Sequence, residues 1–115
     1  MVNDRILHIV LFRLKHDITS EKTRKLIEDA KAILTAIPTV EKFEVLKQIN
    51  SRTPYDFGLS MEFRNQTAYD EYFYHPEHTN FVKSRWENEV IDFLEVDFKT
   101  CIDLDFNLIE KESAY

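Results

Sequence analysis

Across residues 5–14 the chain is apolar on both sides of an extended strand. Ile6, Val10, Phe12 and Leu14 fall on one side with His8 among them, while Leu7, Ile9 and Leu11 fall on the other. A strand of this kind is stable only where both of its faces are covered. That requirement is severe for a chain of 115 residues, which makes one domain rather than two. One layer of helices can cover one face. The other then needs cover from outside the domain, and a second copy of the same sheet is the economical answer.

The rest of the chain supplies that helix layer and the remaining strands. Thr19 or Ser20 can cap a helix whose stripe is Leu26, Ile27, Ala30, Ile33, Leu34 and Ile37, and Pro38 stops it. Residues 43–49 read as a second strand and 50–54 as a turn. Phe57, Leu59, Met61 and Phe63 then alternate along a third strand. Asn65 suits the N-cap of a short helix carrying Ala68, Tyr69, Tyr72 and Phe73. His75-Pro76 breaks it, and a further helix from about Glu77 carries Phe81, Val82 and Trp86. In the last strand Val96, Phe98, Ile102, Leu104, Phe106 and Leu108 hold even positions, while Asp97, Lys99, Cys101, Asp103, Asp105 and Asn107 hold odd ones. From Val96 to Leu108 such a strand reaches about 43 Å, so it is expected to bend or to run onto a partner chain. The order is β-α-β-β-α-β, which predicts an α+β, ferredoxin-like sheet with its helices on one face. A single domain over 1–109 and a frayed tail over 110–115 are expected.

Composition narrows the function classes. Fifteen Lys and Arg against 21 Asp and Glu leave a net charge of −6, the wrong sign for a nucleic-acid backbone. The single cysteine, Cys101, excludes an internal disulfide and a Cys-based zinc site. The longest apolar stretch, 6–12, is far below the about 20 residues that span a bilayer. Residues 1–4 lack the basic start of a signal peptide, so the sequon at Asn65 is expected to be unused. These readings point to a cytoplasmic protein with no membrane or nucleic-acid partner.

No glycine-rich phosphate loop, paired cysteine or hydrolase serine motif is present, so the histidines are the candidates for chemistry. His8 is either a core histidine bonded to a neighbour or a group lining a pocket under the helices. His16 sits in the polar run Lys15-His16-Asp17 and reads as solvated. Around Pro76 the chain is denser, with Tyr72, His75, Glu77 and His78 close together. His78 falls at the start of a helix, where the dipole disfavours an imidazolium. A neutral imidazole near a tyrosine hydroxyl can move protons at neutral pH. The plainer reading is that His75 and His78 cap helix ends or hydrogen-bond across the turn. Metal binding through His75, Glu77 and His78 needs adjacent positions to converge at a turn, and no metal or cofactor is expected.

Residues 8–14 (HIVLFRL), 37–40 (IPTV), Tyr72 with the block His75-Pro76-Glu77-His78, Glu62-Phe63 and Val96-Asp97-Phe98 together resemble the stress-responsive dimeric A/B barrel (Dabb) domain family. The resemblance runs from about residue 5 to residue 98. It implies a ferredoxin-like fold whose sheets pack face to face in a homodimer. In one characterised branch, the plant olivetolic acid cyclases, the second histidine of the HPxH block is the acid/base that closes a linear polyketide. The tyrosine before the block and a histidine on the first strand help it, and those positions match His78, Tyr72 and His8. That branch carries a pocket tyrosine on the first helix where this chain has Ala30, which removes a hydroxyl and enlarges the pocket.

Two functions follow. One is a stress-responsive homodimer that holds a small, hydrophobic carbonyl ligand between sheet and helices, in a pocket lined by His75, Phe81, Trp86 and Ala30. The other is a cyclase-like or lyase-like enzyme with the catalytic set His78, Tyr72 and His8. His78 would remove a proton beside a carbonyl, Tyr72 would hold the carbonyl oxygen, and His8 would orient the substrate or relay the proton. Cofactor-free oxygenase chemistry is a third possibility that no residue singles out.

Overall fold

A computed structural model describes residues 2–101, with side chains from 4 to 100. The expected continuation of the last strand through Ile102, Leu104, Phe106 and Leu108, and the tail 110–115, lie outside the described residues. The elements are β1 (Val2–Leu14), α1 (Glu21–Thr35), β2 (Glu41–Lys47), β3 (Phe57–Phe63), α2 (Gln66–Tyr74) and α3 (Pro76–Phe81). A π-helical turn (Val82–Trp86), a last short turn α4 (Glu87–Glu89) and β4 (Val90–Cys101) follow. The four strands make one antiparallel sheet in the order β2-β3-β1-β4. This is the α+β, ferredoxin-like arrangement that the element order predicts.

Local chemistry sets the helix boundaries. Ser20 caps α1, its Oγ accepting from the Thr23 amide at 3.2 Å. Asn65 caps α2, its Oδ1 accepting from the Ala68 amide at 2.9 Å. His75 ends α2 and begins α3 at once: its extended backbone breaks the first helix, its Nδ1 accepts from the Glu77 amide, and Pro76 takes the first helical position.

The core lies between the sheet and the helices. Ile6, His8, Val10, Phe12 and Leu14 are buried on that side of β1, against Leu59, Met61 and Phe63 of β3, Leu26, Ala30 and Leu34 of α1, and Tyr72 and Phe81. Among the described residues, the other side of the sheet carries no helix. There Leu7 pairs with Phe98, Ile9 with Val96 and Leu11 with Leu94, and Leu94 and Phe98 are about half exposed. Gly58 lies between Leu11 and Leu46 on this side, and a Cβ there would stand 3.1 Å from Leu11 Cδ2. A larger residue would push these leucines apart and roughen the face.

Two readings need correction. The last strand begins at Val90, six residues before the alternation becomes regular: a register shift at Arg13 and Leu14 displaces its first residues, and Phe93 sets an aromatic side chain on the side where the later odd positions are polar. The second strand lies two residues earlier than expected, with Lys42 in the left-handed region (φ 48°) at an irregularity between Glu41 and Glu44. The even, apolar positions of β4 face away from the helices, and the odd positions Glu95, Asp97 and Lys99 face towards them. Of these, Glu95 lines a cavity beneath the helices and Asp97 bonds His8.

Candidate active site

Under the helices a cavity of about 260 Å³ opens between β1, β3, β4 and the helical segment 72–86. This is slightly below the usual range of ligand pockets, about 300–1,000 Å³. Its walls are mostly apolar: Val10, Leu34, Leu59, Phe73, Phe81, Val82, Trp86 and Phe93. Four polar side chains face it, namely His8, Tyr72, His78 and Glu95. The three residues expected to act together therefore meet in one cavity, although His8 is separated from the other two by most of the chain.

His78 reaches the cavity from α3. The shared cap at His75 turns the chain so that His78 packs on Tyr72, with ring centroids 4.5 Å apart. Its Nδ1 lies 2.9 Å from the carbonyl oxygen of Phe73. A carbonyl only accepts, so Nδ1 carries the hydrogen and donates it. In the neutral ring the lone pair is then on Nε2. Burial lowers the His78 pKa below the ordinary histidine value; the bond to Phe73 works the other way, and nearby His8 adds to the lowering. The ring is thus neutral at pH 7 and able to accept a proton.

Tyr72 is buried beside it. Burial pushes its hydroxyl well above the usual tyrosine range, and the negative fields of Tyr69, Glu95 and Asp97 add to this. It stays a protonated donor through the physiological range, and its hydroxyl has no hydrogen-bond partner among the described residues.

His8 comes from the covered face of β1, directly across from Asp97 on β4. Its Nδ1 donates to Asp97 Oδ1 at 2.6 Å, and Tyr69 donates its hydroxyl to Asp97 Oδ2 at 3.1 Å. Tyr69 also stands edge-on to the His8 ring at 5.4 Å. The carboxylate orients the imidazole, fixes the hydrogen on Nδ1 and leaves the His8 Nε2 side for the cavity.

Phe81 and Trp86 line the cavity; His75 and Ala30 do not. His75 is used up as the cap between two helices, and the bond its Nδ1 accepts from Glu77 turns it to the backbone. Ala30 is buried under α1 within the core, and Leu34, one turn further, is the α1 residue that reaches the cavity. His16 is not a solvated side chain: its Nε2 lies 2.8 Å from Glu89 Oε1, and both side chains are mostly buried. Three site residues, Asp97, Glu95 and Tyr69, are not among the site candidates that the sequence offers. The pairing register of β1 with β4 would have found the first two, because it sets Asp97 across from His8 and Glu95 across from Val10; Tyr69 comes from α2 and follows from neither strand.

The π-helical turn completes the wall. It seats Trp86 against Phe12, Phe81 and Phe93, at centroid distances of 5.0, 6.4 and 5.8 Å. Arg85, in the same turn, bridges Glu89 at 2.6 Å and Asp29 of α1 at 2.6 Å, which ties this wall to α1 and, through Glu89, to His16 after β1. Such turns recur at functional sites.

Comparison with known proteins agrees with this architecture. A crystal structure of a Dabb family protein with a ferredoxin-like fold from Mesorhizobium loti is 46% identical, covering 84% of this chain and 97% of that one, with a TM-score of 0.83. A dimeric protein of unknown function and ferredoxin-like fold from Bacteroides fragilis is 26% identical over 87% of this chain and 100% of its own, with a TM-score of 0.67. The hydroxynitrile lyase of Passiflora edulis shares the fold at 14% identity, over 86% of this chain and 95% of that one, with a TM-score of 0.76. No curated protein matches the chain. Residues 6–100 match the Stress responsive A/B Barrel Domain, and the chain, with its four-stranded ferredoxin-like sheet and the histidine-lined cavity beneath it, belongs to that family.

Proposed function

We propose that this protein is a homodimer, paired through the open faces of its sheets, that binds a small, largely apolar carbonyl compound and performs acid/base chemistry on it with His78. The observation that carries the reading is the Nδ1 bond of His78 to the Phe73 carbonyl, which leaves a neutral Nε2 lone pair for a cavity that also holds the Tyr72 hydroxyl. Nε2 takes a proton from the carbon beside the carbonyl. The released electron pair moves to the carbonyl oxygen, where Tyr72 donates a hydrogen bond to the growing charge. The enolate so formed attacks a second carbonyl within the same molecule, whose oxygen receives a proton, as in a cyclisation; the reverse sequence cleaves a carbon–carbon bond. His8, held by Asp97, supports proton transfer at the other side of the cavity. The hydroxynitrile lyase from Passiflora edulis gives one precedent for lyase chemistry on this fold.

Native mass spectrometry of the freshly purified protein is the first test. A dimer with an added mass of a few hundred daltons supports the reading and names the compound class to assay. Turnover of that compound should fall by about 10²-fold or more in His78→Ala with the fold intact. A monomer, or unchanged turnover in His78→Ala, would refute it.

A further inference from the structure

Glu95 is the one formally charged side chain, histidines aside, in the lining of the cavity. It projects from the covered face of β4, two residues after Phe93 and across from Val10, and is itself exposed to solvent. No Lys or Arg shares that lining. The charges that act on the hydroxyls of half-buried Tyr69 and buried Tyr72 are likewise negative: Glu95 and Asp97 reach both, and Asp70 adds to them at Tyr69. The nearest cationic candidates are the histidines themselves. His78 is held neutral by burial, and the Nδ1 hydrogen of His8 is engaged by a carboxylate.

The remaining wall is aromatic. Tyr72, Phe73, Phe81, Trp86 and Phe93 surround the cavity. Aromatic faces present negative potential and attract organic cations, most strongly where water is excluded. A carboxylate in the lining of such a cavity repels an anion at close range and attracts a cation. The chain as a whole, at −6, adds to the same preference.

We infer that this cavity selects a small organic cation, such as an amine-bearing aromatic or aliphatic carbonyl compound, and that Glu95 is the residue that sets the charge preference against carboxylate and phosphate ligands. The inference rests on the proposed ligand site but not on its chemistry, since a charge preference exists whether or not His78 turns anything over. It gives Glu95 a role in specificity: it screens what enters, while His78 and Tyr72 act on what is bound.

The protein carries its own reporter, because Trp86 is its single tryptophan and lines the cavity. Three probes of the same ring and similar size separate charge from shape: benzylamine, benzyl alcohol and benzoate at pH 7.5. Titration of the full-length protein followed by tryptophan fluorescence should rank them in that order, with benzylamine at least about tenfold tighter than benzoate. In Glu95→Gln the gap should close to within about threefold, chiefly by weaker benzylamine binding, and in the parent it should narrow as salt is raised. Glu95→Asp, which keeps the charge, should retain most of the preference, so a general loss of structure in the Gln variant cannot imitate the result. Benzoate binding as tightly as benzylamine, a gap that survives Glu95→Gln, or no binding by any of the three would overturn the inference. Running the series in His78→Ala separates the two ideas. A charge ranking kept in that variant with turnover unchanged would sink the acid/base reading alone, whereas a lost ranking beside normal His78-dependent turnover would sink this one alone.

Discussion

Asp97 and Phe73 give the two histidines of the cavity different chemistry. Phe73 offers His78 a neutral carbonyl, while Asp97 offers His8 an anion already bonded to Tyr69. Removing the anion should change His8 before it changes anything else. In Asp97→Ala the His8 ring should lose its fixed Nδ1–H form and show a mixture of tautomers by ¹⁵N NMR, with turnover down by about tenfold. An unchanged tautomer would show that Asp97 does not position His8. The lowered His78 pKa also sets a pH profile. Turnover should rise as pH climbs through a value below the ordinary histidine pKa of about 6.5, then stay flat to about pH 10, because Tyr72 ionises only above its own ordinary value. For stability the sign is the same: His78 is neutral in the fold, so its contribution is present above about 6.5 and declines as pH falls. His8, Tyr72 and His78 were legible as a set because residue type and a family pattern mark them. Asp97, Glu95 and Tyr69 were not, because nothing local says which strand will lie across from which.

At the level of elements the same division holds. The caps at Ser20 and Asn65 and the break at His75-Pro76 are bonds within a few residues, so the sequence displays them. The onset of β4 at Val90 depends on an irregular pairing with β1, and the π-helical turn at 82–86 has no composition that announces it. The ion pairs around that turn are also long-range. Arg85 joins Glu89 to Asp29, and His16 bonds Glu89 from the other side. Bonds from Arg85, and from Lys25, hold the Asp29 carboxyl below its usual range. For Glu89 burial works in the opposite direction, but the bonds from Arg85 and His16 outweigh it and leave the carboxyl lowered. Groups lowered in this way stabilise the fold above the ordinary carboxylate pKa of about 4 and lose that contribution as pH falls through their folded values. Arg85→Met should therefore cost about 1–3 kcal/mol near pH 7 by taking the shared guanidinium from two mostly buried carboxylates, leaving Asp29 only Lys25 and Glu89 only His16. It should also make the acid-unfolding curve shallower, since those carboxylates no longer favour the folded state. Thermal melts at pH 7 and an acid titration followed by circular dichroism would check both; a Tm at pH 7 equal to the parent's would count against a structural role for the bridge.

For the whole molecule, the two-sided apolar character of β1 is the feature with the widest reach. It was visible in the sequence, and it explains why the covered face of the sheet holds a cavity while the other holds Leu7, Ile9, Leu11, Leu94, Val96 and Phe98. If that second face is where two copies meet, Leu94→Lys should shift the protein from dimer to monomer in native mass spectrometry, and lower its Tm by several degrees. A dimer of parent stability would place the contact elsewhere. Both faces depend on one pairing. β1 is made first and β4 last among the described strands, and His8 and Asp97 are 89 residues apart. On the ribosome, the early strand and both major helices emerge before the strand that finishes the cavity floor. Until residues 90–99 arrive, Ile9 and Leu11 have no neighbour on that edge, and the His8 Nδ1–H has no Asp97 carboxylate to bond. The nascent protein is therefore an incomplete sheet with an exposed apolar edge, a state that invites chaperone capture. Its last described strand completes the cavity lining, pairs the open edge of β1 and adds Leu94, Val96 and Phe98 to the helix-free face in the same closing event.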